Sequence, residues 1–215
     1  MVLTADPSIE STLGLKFKYS LGSSADAPCV LMVHGRAGNY DVMWTFRRCI
    51  PEGVTIIAPQ APIADPIGGF SWWLVRPDWP KEEAVDAAQN LLEFVEKALV
   101  HFALRPRKII ALGFSQGGAI LSLCIQQAPN KFGGLGMLAS FAIKHPAITP
   151  ALEGMPIFIG HGSKDEVVPL EKAMRGGDYL RESGGHITLV TDEVGHKLGT
   201  GAMRELKAWI ATVLS

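Results

Sequence analysis

The sequence predicts an α/β fold in which a mostly parallel central sheet is covered by helices on both faces. Short, continuous apolar runs recur along the chain, which is the pattern of strands buried on both faces. Segments with apolar residues at helical spacing separate these runs, and such alternation is typical of parallel sheets. The 215 residues show no shift in composition, so we expect one domain over residues 1–215.

The charge balance argues against partners that bind through bulk charge. The formal net charge is −1 and 19% of the residues are charged, so we expect no nucleic-acid partner. Cys29, Cys49 and Cys124 lie in apolar stretches without C-x-x-C spacing, which predicts buried, reduced thiols. Neither a leader-like start nor a run of membrane-spanning length occurs, so we expect a cytoplasmic protein with no membrane span. The sequence leaves a homodimer open.

In the first third of the chain, two strand patterns differ in kind. Residues 13–21 alternate in polarity, which predicts a strand near a sheet edge with one solvated face. Residues 29–33 and 54–59 are continuous apolar runs, which predicts buried parallel strands. Asn39 is a suitable N-cap for a helix between these two runs. The apolar surface of this helix is expected from Val42, Trp44, Phe46 and Ile50.

Two stretches outside the regular elements bear on binding. The loop at residues 34–39 contains glycines but lacks the G-x-G-x-x-G spacing and the Gly-Lys-Ser/Thr ending of phosphate loops. Nucleotide binding is therefore disfavoured, and we expect no cofactor and no metal. The segment 60–80 is too long for a mere connector and contains Trp72, Trp73 and Trp79. For these tryptophans, packing of the loop and contact with a ligand are equally supported.

The remaining chain continues the alternation of strand and helix. A helix is predicted over residues 82–102, because its apolar residues recur at helical spacing. A strand from residue 108 follows, and then a helix over 119–128 that ends at Pro129. Further strands are predicted at 134–139, 156–160 and 186–191, and further helices at 170–183 and 201–213.

The stretch Gly113-Phe-Ser115-Gln-Gly117 joins the strand from residue 108 to the helix after it. A serine on such a tight strand-to-helix turn has its hydroxyl pushed out of the sheet edge, while the flanking glycines let the backbones pass. The same turn places the amide of Gln116 at a helix N-terminus, where backbone N–H groups hold negative charge. Ser115 is therefore the predicted nucleophile, with a structural turn serine as the alternative.

An acid and a base follow Ser115 in the order that this architecture uses, Ser…Asp…His. Asp165 comes after the strand ending at residue 160, and His196 comes after the strand ending near residue 191. His196 would take the serine proton and return it to the leaving group, while Asp165 would hold the imidazole in the right tautomer. The competing residues are Glu166 for the acid, and His161 and His186 for the base.

Negative charge that builds on the carbonyl oxygen needs hydrogen-bond donors. The loop His34-Gly35-Arg36 follows the first buried strand, where it can supply one amide, and Gln116 can supply the other. His34 is predicted to be a structural residue of this loop rather than a base.

Four blocks in this order resemble the phospholipase/carboxylesterase family of the α/β-hydrolase fold, which includes acyl-protein thioesterases. They are His34-Gly-x-x-Gly-Asn39, Gly113-Phe-Ser-Gln-Gly-Gly118, His161-Gly-Ser-Lys-Asp-Glu-Val-Val-Pro169 and Gly195-His196. The resemblance implies a catalytic triad of Ser115, Asp165 and His196. It also implies that the amides of Arg36 and Gln116 form the oxyanion hole, and that Trp72-Trp73 borders the acyl site.

The expected activity is hydrolysis of a small carboxylic ester through an acyl-serine, by a single-domain enzyme without a lid, since residues 140–155 leave no room for an inserted domain. Alternatives are an acyl-protein thioesterase, a lysophospholipase, or a non-catalytic binding protein on the same fold. Arg36 stands where related thioesterases tend to have an uncharged residue. For its side chain, a salt bridge to a neighbouring loop is favoured over an anionic group of the substrate.

Overall fold

An eight-stranded sheet forms the centre of the protein in the computed structural model, which describes residues 2–78 and 80–215. The strands of the chain are β1 (Leu3–Thr4), β2 (Phe17–Ser20), β3 (Cys29–Val33), β4 (Thr55–Pro59), β5 (Ile63–Ala64), β6 (Phe70–Ser71), β7 (Ile109–Phe114), β8 (Gly134–Leu138), β9 (Pro156–Gly162) and β10 (His186–Asp192). The sheet order is β1-β2-β4-β3-β7-β8-β9-β10, and β5 pairs only with β6. Within this sheet, the five pairs β4-β3, β3-β7, β7-β8, β8-β9 and β9-β10 are all parallel, which confirms the mostly parallel sheet.

Helices cover both faces of this sheet, as the alternating pattern predicts. They are α1 (Pro7–Leu13), a 3₁₀ helix (Tyr40–Cys49), α2 (Lys81–His101), α3 (Gln116–Gln127), a short 3₁₀ turn (Pro129–Lys131), α4 (Leu170–Glu182) and α5 (Thr200–Leu214). One apolar core joins α2, α3 and α4 to the sheet, and a second core joins the longer 3₁₀ helix and α5 to the opposite face. On β3, Val30 and Met32 enter the second core while Leu31 and Val33 enter the first.

The N-terminal region differs from the prediction of a strand over residues 13–21. Only Phe17–Ser20 is a strand, and helix α1 precedes it. Asp6 accepts hydrogen bonds from two amides of the first turn of α1, Pro7 occupies a position where no intrahelical donor is needed, and Gly14 ends the helix at φ 90°. Strand β2 is antiparallel and second from the sheet edge, because the two-residue β1 pairs outside it.

The helix after β3 has a different periodicity from the one assumed in the prediction. Asn39 caps it as expected, but it is a 3₁₀ helix with three residues per turn. Its buried residues are therefore spaced by three: Met43, Phe46 and Cys49. Val42 was predicted to supply apolar surface, and it is 51% exposed instead.

All three cysteines are buried and free, as predicted. Burial raises the pKa of the Cys29 thiol to about 12, so this group is an inert part of the core. Among residues 2–78 and 80–215, no helix combines the length and the apolar character that crossing a lipid bilayer requires.

Candidate active site

The turn at Ser115 has a strained backbone that only its glycine neighbours permit. Ser115 lies between β7 and α3 with φ 50° and ψ −119°, a combination that a non-glycine residue rarely adopts. A Cβ on Gly113 would lie 2.4 Å from the carbonyl carbon of Gly117, and one on Gly117 would lie 2.0 Å from the carbonyl oxygen of Val33. The chain can therefore make this turn only with glycine at both positions.

Backbone and side-chain hydrogen bonds hold the strained turn. The Ser115 amide donates to the carbonyl oxygen of Leu138 at 2.8 Å, at the end of the neighbouring strand β8. The hydroxyl of Ser140 donates to the carbonyl oxygen of Ser115 at 2.6 Å. Ser140 is fully buried, and sequence reasoning did not find it, because nothing local marks a serine that bonds 25 residues back.

Asp165 and His196 are brought together by the loops after β9 and β10. His196 Nδ1 lies 2.7 Å from Asp165 Oδ2, and the other carboxylate oxygen accepts hydrogen bonds from the amides of Val167 and Val168, each at 2.9 Å. Burial raises the pKa of Asp165, but hydrogen bonds from the Val168 amide and from His196 outweigh burial, so this pKa lies below its ordinary value. Asp165 is therefore a charged acceptor that directs His196 Nε2 outward.

The imidazole of His196 lies beside the serine turn. Its ring centroid is 5.1 Å from that of Phe114, the residue before Ser115. In the described part of the chain, the Ser115 hydroxyl has no hydrogen bond to His196. Hydrogen bonds between a nucleophile and its base are often long in the absence of substrate and shorten when it binds.

The competing acid and bases lie in less suitable places. Glu166 is exposed, whereas its neighbour Asp165 is buried. His161 is fully buried, and its Nε2 lies 2.8 Å from the carbonyl oxygen of Val168. His186 is the first residue of β10 and lies at the amino end of this strand. Ser115 follows the carboxyl end of the parallel strand β7, so the two residues lie at opposite ends of the strands.

The loop after β3 approaches Ser115 closely enough to contribute to the same site. A Cβ on Gly35 would be 3.0 Å from the Cβ of Ser115. Within residues 2–78 and 80–215, neither the Arg36 amide nor the Gln116 amide has a hydrogen-bond acceptor. Gln116 is the first residue of α3, where the helix provides no acceptor for the amide.

His34 is held as a neutral structural residue, as the sequence predicts. Its Nε2 accepts a hydrogen bond from the Ala61 amide at 2.9 Å, so Nδ1 carries the proton and donates to the Gly35 carbonyl oxygen at 2.7 Å. Burial lowers the pKa of His34 to about 4. The imidazole therefore ties the loop after β3 to the loop after β4.

Arg36 forms the predicted salt bridge to a neighbouring loop. Its Nε donates to Asp65 Oδ2 at 3.0 Å, and the Ser71 hydroxyl donates to the same oxygen at 2.7 Å. These two hydrogen bonds, Arg36 first, lower the pKa of Asp65 to about 2. The salt bridge joins the loop after β3 to the hairpin of β5 and β6.

The tryptophan pair is buried and bound to the serine turn through a side chain that the sequence did not single out. Trp72 and Trp73 are 3% and 2% exposed. The side-chain oxygen of Gln116 accepts from the Trp72 amide at 3.0 Å, and its nitrogen donates to the Trp73 carbonyl oxygen at 2.9 Å. Trp72 Nε1 also donates to the His34 carbonyl oxygen at 2.9 Å. Trp79, which belongs to the same predicted segment, lies outside the described residues.

Two cavities adjoin Arg36. The first, of about 320 Å³, is lined by Ser115 and Gln116, and its remaining walls are mostly apolar: Trp73, Val75, Phe141, Val167 and Val168. Lys172 also lines it, with Nζ 3.5 Å from the ring centroid of Phe141. The second, of about 410 Å³, lies beside Phe114 and residues 197 and 198. Trp72 lines neither cavity, whereas Trp73 borders the one that contains Ser115.

Comparisons with known proteins identify one family and a shared fold. The phospholipase/carboxylesterase family model matches residues 20–214. The putative hydrolase MhqD of Bacillus subtilis (strain 168) is 23% identical over 202 residues, which cover 91% of this chain and 97% of that protein. Acyl-protein thioesterase 1 of Emericella nidulans is 26% identical over 183 residues, covering 72% and 76%. The Bacillus cereus carboxylesterase structure shares the fold with a TM-score of 0.86 at 18% identity, covering 96% of this chain and 98% of that one.

Proposed function

The chain belongs to the phospholipase/carboxylesterase family of α/β-hydrolases, and from this premise we propose that it cleaves carboxylic esters through an acyl-enzyme on Ser115. Membership makes the protein an ester hydrolase of the carboxylesterase or acyl-protein thioesterase type. The proposal adds the residues and the steps. The observation that carries it is the 2.7 Å hydrogen bond between Asp165 and His196 beside the strained turn at Ser115.

In the first step, Ser115 Oγ attacks the carbonyl carbon and His196 Nε2 accepts its proton. The bond from carbon to the leaving oxygen or sulfur then breaks, and His196 returns the proton to the leaving group. In the second step, His196 takes a proton from water, which attacks the acyl carbon. The bond from this carbon to Ser115 Oγ then breaks, His196 returns the proton to Oγ, and the carboxylic acid is released. Asp165 remains charged throughout and stabilises the imidazolium, because its pKa is lowered in the folded protein.

The tetrahedral intermediate carries a negative oxygen that needs donors. The amides of Arg36 and Gln116 supply them, because both lack acceptors in the described residues and both adjoin Ser115. Each donor of this kind typically contributes about 3 kcal/mol to lowering the barrier. The side chains of the same two residues hold the surrounding loops, through Asp65 and through the Trp72-Trp73 backbone.

The acyl group occupies the cavity that Ser115 lines. Its volume of about 320 Å³ and its mostly apolar walls favour short acyl chains, with Trp73 as one contact. Trp72 instead supports the loop through its bonds to His34 and Gln116. A small carboxylic ester is therefore the proposed substrate. A thioester is the second candidate, because the relative from Emericella nidulans is named an acyl-protein thioesterase.

A fluorophosphonate tests the proposal against a non-catalytic protein on the same fold. We expect intact-mass analysis to show one adduct per chain, and hydrolysis of 4-nitrophenyl butyrate to disappear in parallel with labelling. The physical reason is that only an activated serine displaces the fluoride. An unlabelled protein, or one that retains full esterase activity after complete labelling, would refute the acyl-enzyme mechanism.

A further inference from the structure

The second cavity beside Arg36 combines apolar walls with positive charge. Its larger apolar side chains are Val42, Met43, Phe46, Phe114, Leu198 and Met203. Three cationic side chains, Arg36, Arg48 and Lys197, line it as well, and no aspartate or glutamate in the described part of the chain does. In a protein whose formal net charge is −1, this local excess of positive charge is a property of the cavity.

Two of the three cations have no ion-pair partner among the described residues. Arg36 is neutralised by Asp65 at 3.0 Å. Arg48 and Lys197 form no ion pair with any residue of 2–78 and 80–215. Of the acidic residues near them in sequence, Glu52 pairs with Arg47 at 2.9 Å and Glu193 with Lys164 at 3.1 Å, while Asp192 accepts a hydrogen bond from the Ala202 amide at 2.8 Å. The field of Arg48 and Lys197 therefore acts on whatever enters the cavity.

The position of this cavity relates it to one half of the substrate. Lys197 and Leu198 directly follow His196, and the ring of Phe114 contacts the imidazole. His196 delivers its proton to the leaving group, so the leaving group lies on the imidazole side of Ser115. The acyl group lies in the other cavity, which Ser115 and Gln116 line.

We propose that the cavity of about 410 Å³ binds the leaving group, that this alcohol or thiol has an apolar body and an anionic end, and that Arg48 and Lys197 recognise this end. The anionic end is a carboxylate or a phosphate, because both are acceptors for guanidinium and ammonium groups. This inference rests on the proposed function, since it assigns the leaving group from the role of His196. It makes Arg48 and Lys197 determinants of specificity that do not take part in the bond changes.

Matched esters measure this preference. The butyrate esters of 4-methylphenol, 4-hydroxyphenylacetate and 4-hydroxybenzylphosphonate share an acyl group and a phenol ring, and differ in the charge at the far end. An exposed ion pair contributes up to about fivefold in affinity, so we expect the two cations to raise kcat/KM for an anionic ester about tenfold over the neutral one. Comparing kcat/KM for the carboxylate ester with kcat/KM for the phosphonate ester shows which anion the site prefers.

The Arg48→Gln/Lys197→Gln variant is expected to bring the ratio of kcat/KM values, anionic over neutral ester, close to 1. The charge-matched control Lys97→Gln/Arg107→Gln removes one exposed lysine and one exposed arginine that line neither cavity, and it is expected to keep the wild-type ratio. The wild-type ratio should also fall with rising salt, because these cations are exposed. A wild-type ratio of 1 for both anions, or an unchanged ratio in the double variant, would overturn the proposal.

Ser115→Ala separates the two proposals in the same assay. If the neutral ester is still hydrolysed by Ser115→Ala, the proposed function fails. If hydrolysis depends on Ser115 and the wild-type ratio is nevertheless 1, only the anion site fails.

Discussion

Replacing Asp165 by asparagine is expected to lower kcat about 10⁴-fold while the protein still folds. One carboxylate oxygen accepts from the amides of Val167 and Val168, and the other faces His196 Nδ1. The asparagine oxygen can keep the two amide bonds, so its NH₂ group points at Nδ1 as a donor. His196 then carries its proton on Nε2, where it blocks acceptance of the serine proton.

Glu166→Gln is the matched control for this prediction. Glu166 is the next residue and is exposed, so removing its charge is expected to leave kcat within a factor of about two, as for most surface substitutions. Steady-state kinetics on 4-nitrophenyl butyrate and thermal unfolding of both variants provide the measurement. Equal losses of kcat in the two variants, or a larger loss in Glu166→Gln, would remove Asp165 from its assigned role.

Replacing His196 by glutamine is expected to lower kcat about 10⁶-fold, because an amide side chain cannot accept the serine proton. The pH profile gives a second readout. In the wild type, kcat/KM falls on acidification because an imidazolium cannot accept the serine proton, and this acid limb should be absent from the residual activity of the variant.

The control for this variant is His186→Gln. His186 is exposed at the amino ends of the parallel strands, away from Ser115. Both the rate and the acid limb of this variant should therefore match the wild type. A wild-type profile that is flat with pH, or an acid limb that persists in His196→Gln, would show that another group is the base.

Strand prediction succeeded where the sequence pattern has one interpretation. Residues 29–33 are apolar without a break, and the strand observed there is Cys29–Val33 with both faces buried. Residues 13–21 alternate in polarity instead, yet only Phe17–Ser20 is a strand. The alternating residues before Phe17 include Leu13, the last residue of helix α1, and Gly14, which ends this helix. Asp6 and Pro7 mark the start of the same helix. Capping residues therefore carried more information here than polarity did.

The buried face of the 3₁₀ helix could not be predicted from the sequence, for a different reason. An apolar face at positions 43, 46 and 49 indicates three residues per turn, whereas helix patterns are ordinarily judged at 3.6. The exposed Val42 follows from this change of period. Which period the chain adopts depends on how it packs between β3 and α5, and this is a property of the tertiary structure.

For the site, local motifs predicted the groups proposed to react, but not the groups that hold them. Ser115 stands in a recognisable turn, and Asp165 and His196 follow strands in the expected order. By contrast, Ser140, Asp65 and the side chain of Gln116 act through residues that are distant in sequence. No spacing rule links these partners, so only the folded chain reveals them.

The most direct test of the central claim is to locate the phosphonate adduct formed by a fluorophosphonate. Peptide mapping by mass spectrometry of labelled wild type should place the adduct on Ser115, and Ser115→Ala should have neither label nor esterase activity. Ser163→Ala, an exposed serine in the loop of Asp165, should label like the wild type. An adduct on any other residue, or label and activity that persist in Ser115→Ala, would contradict the account.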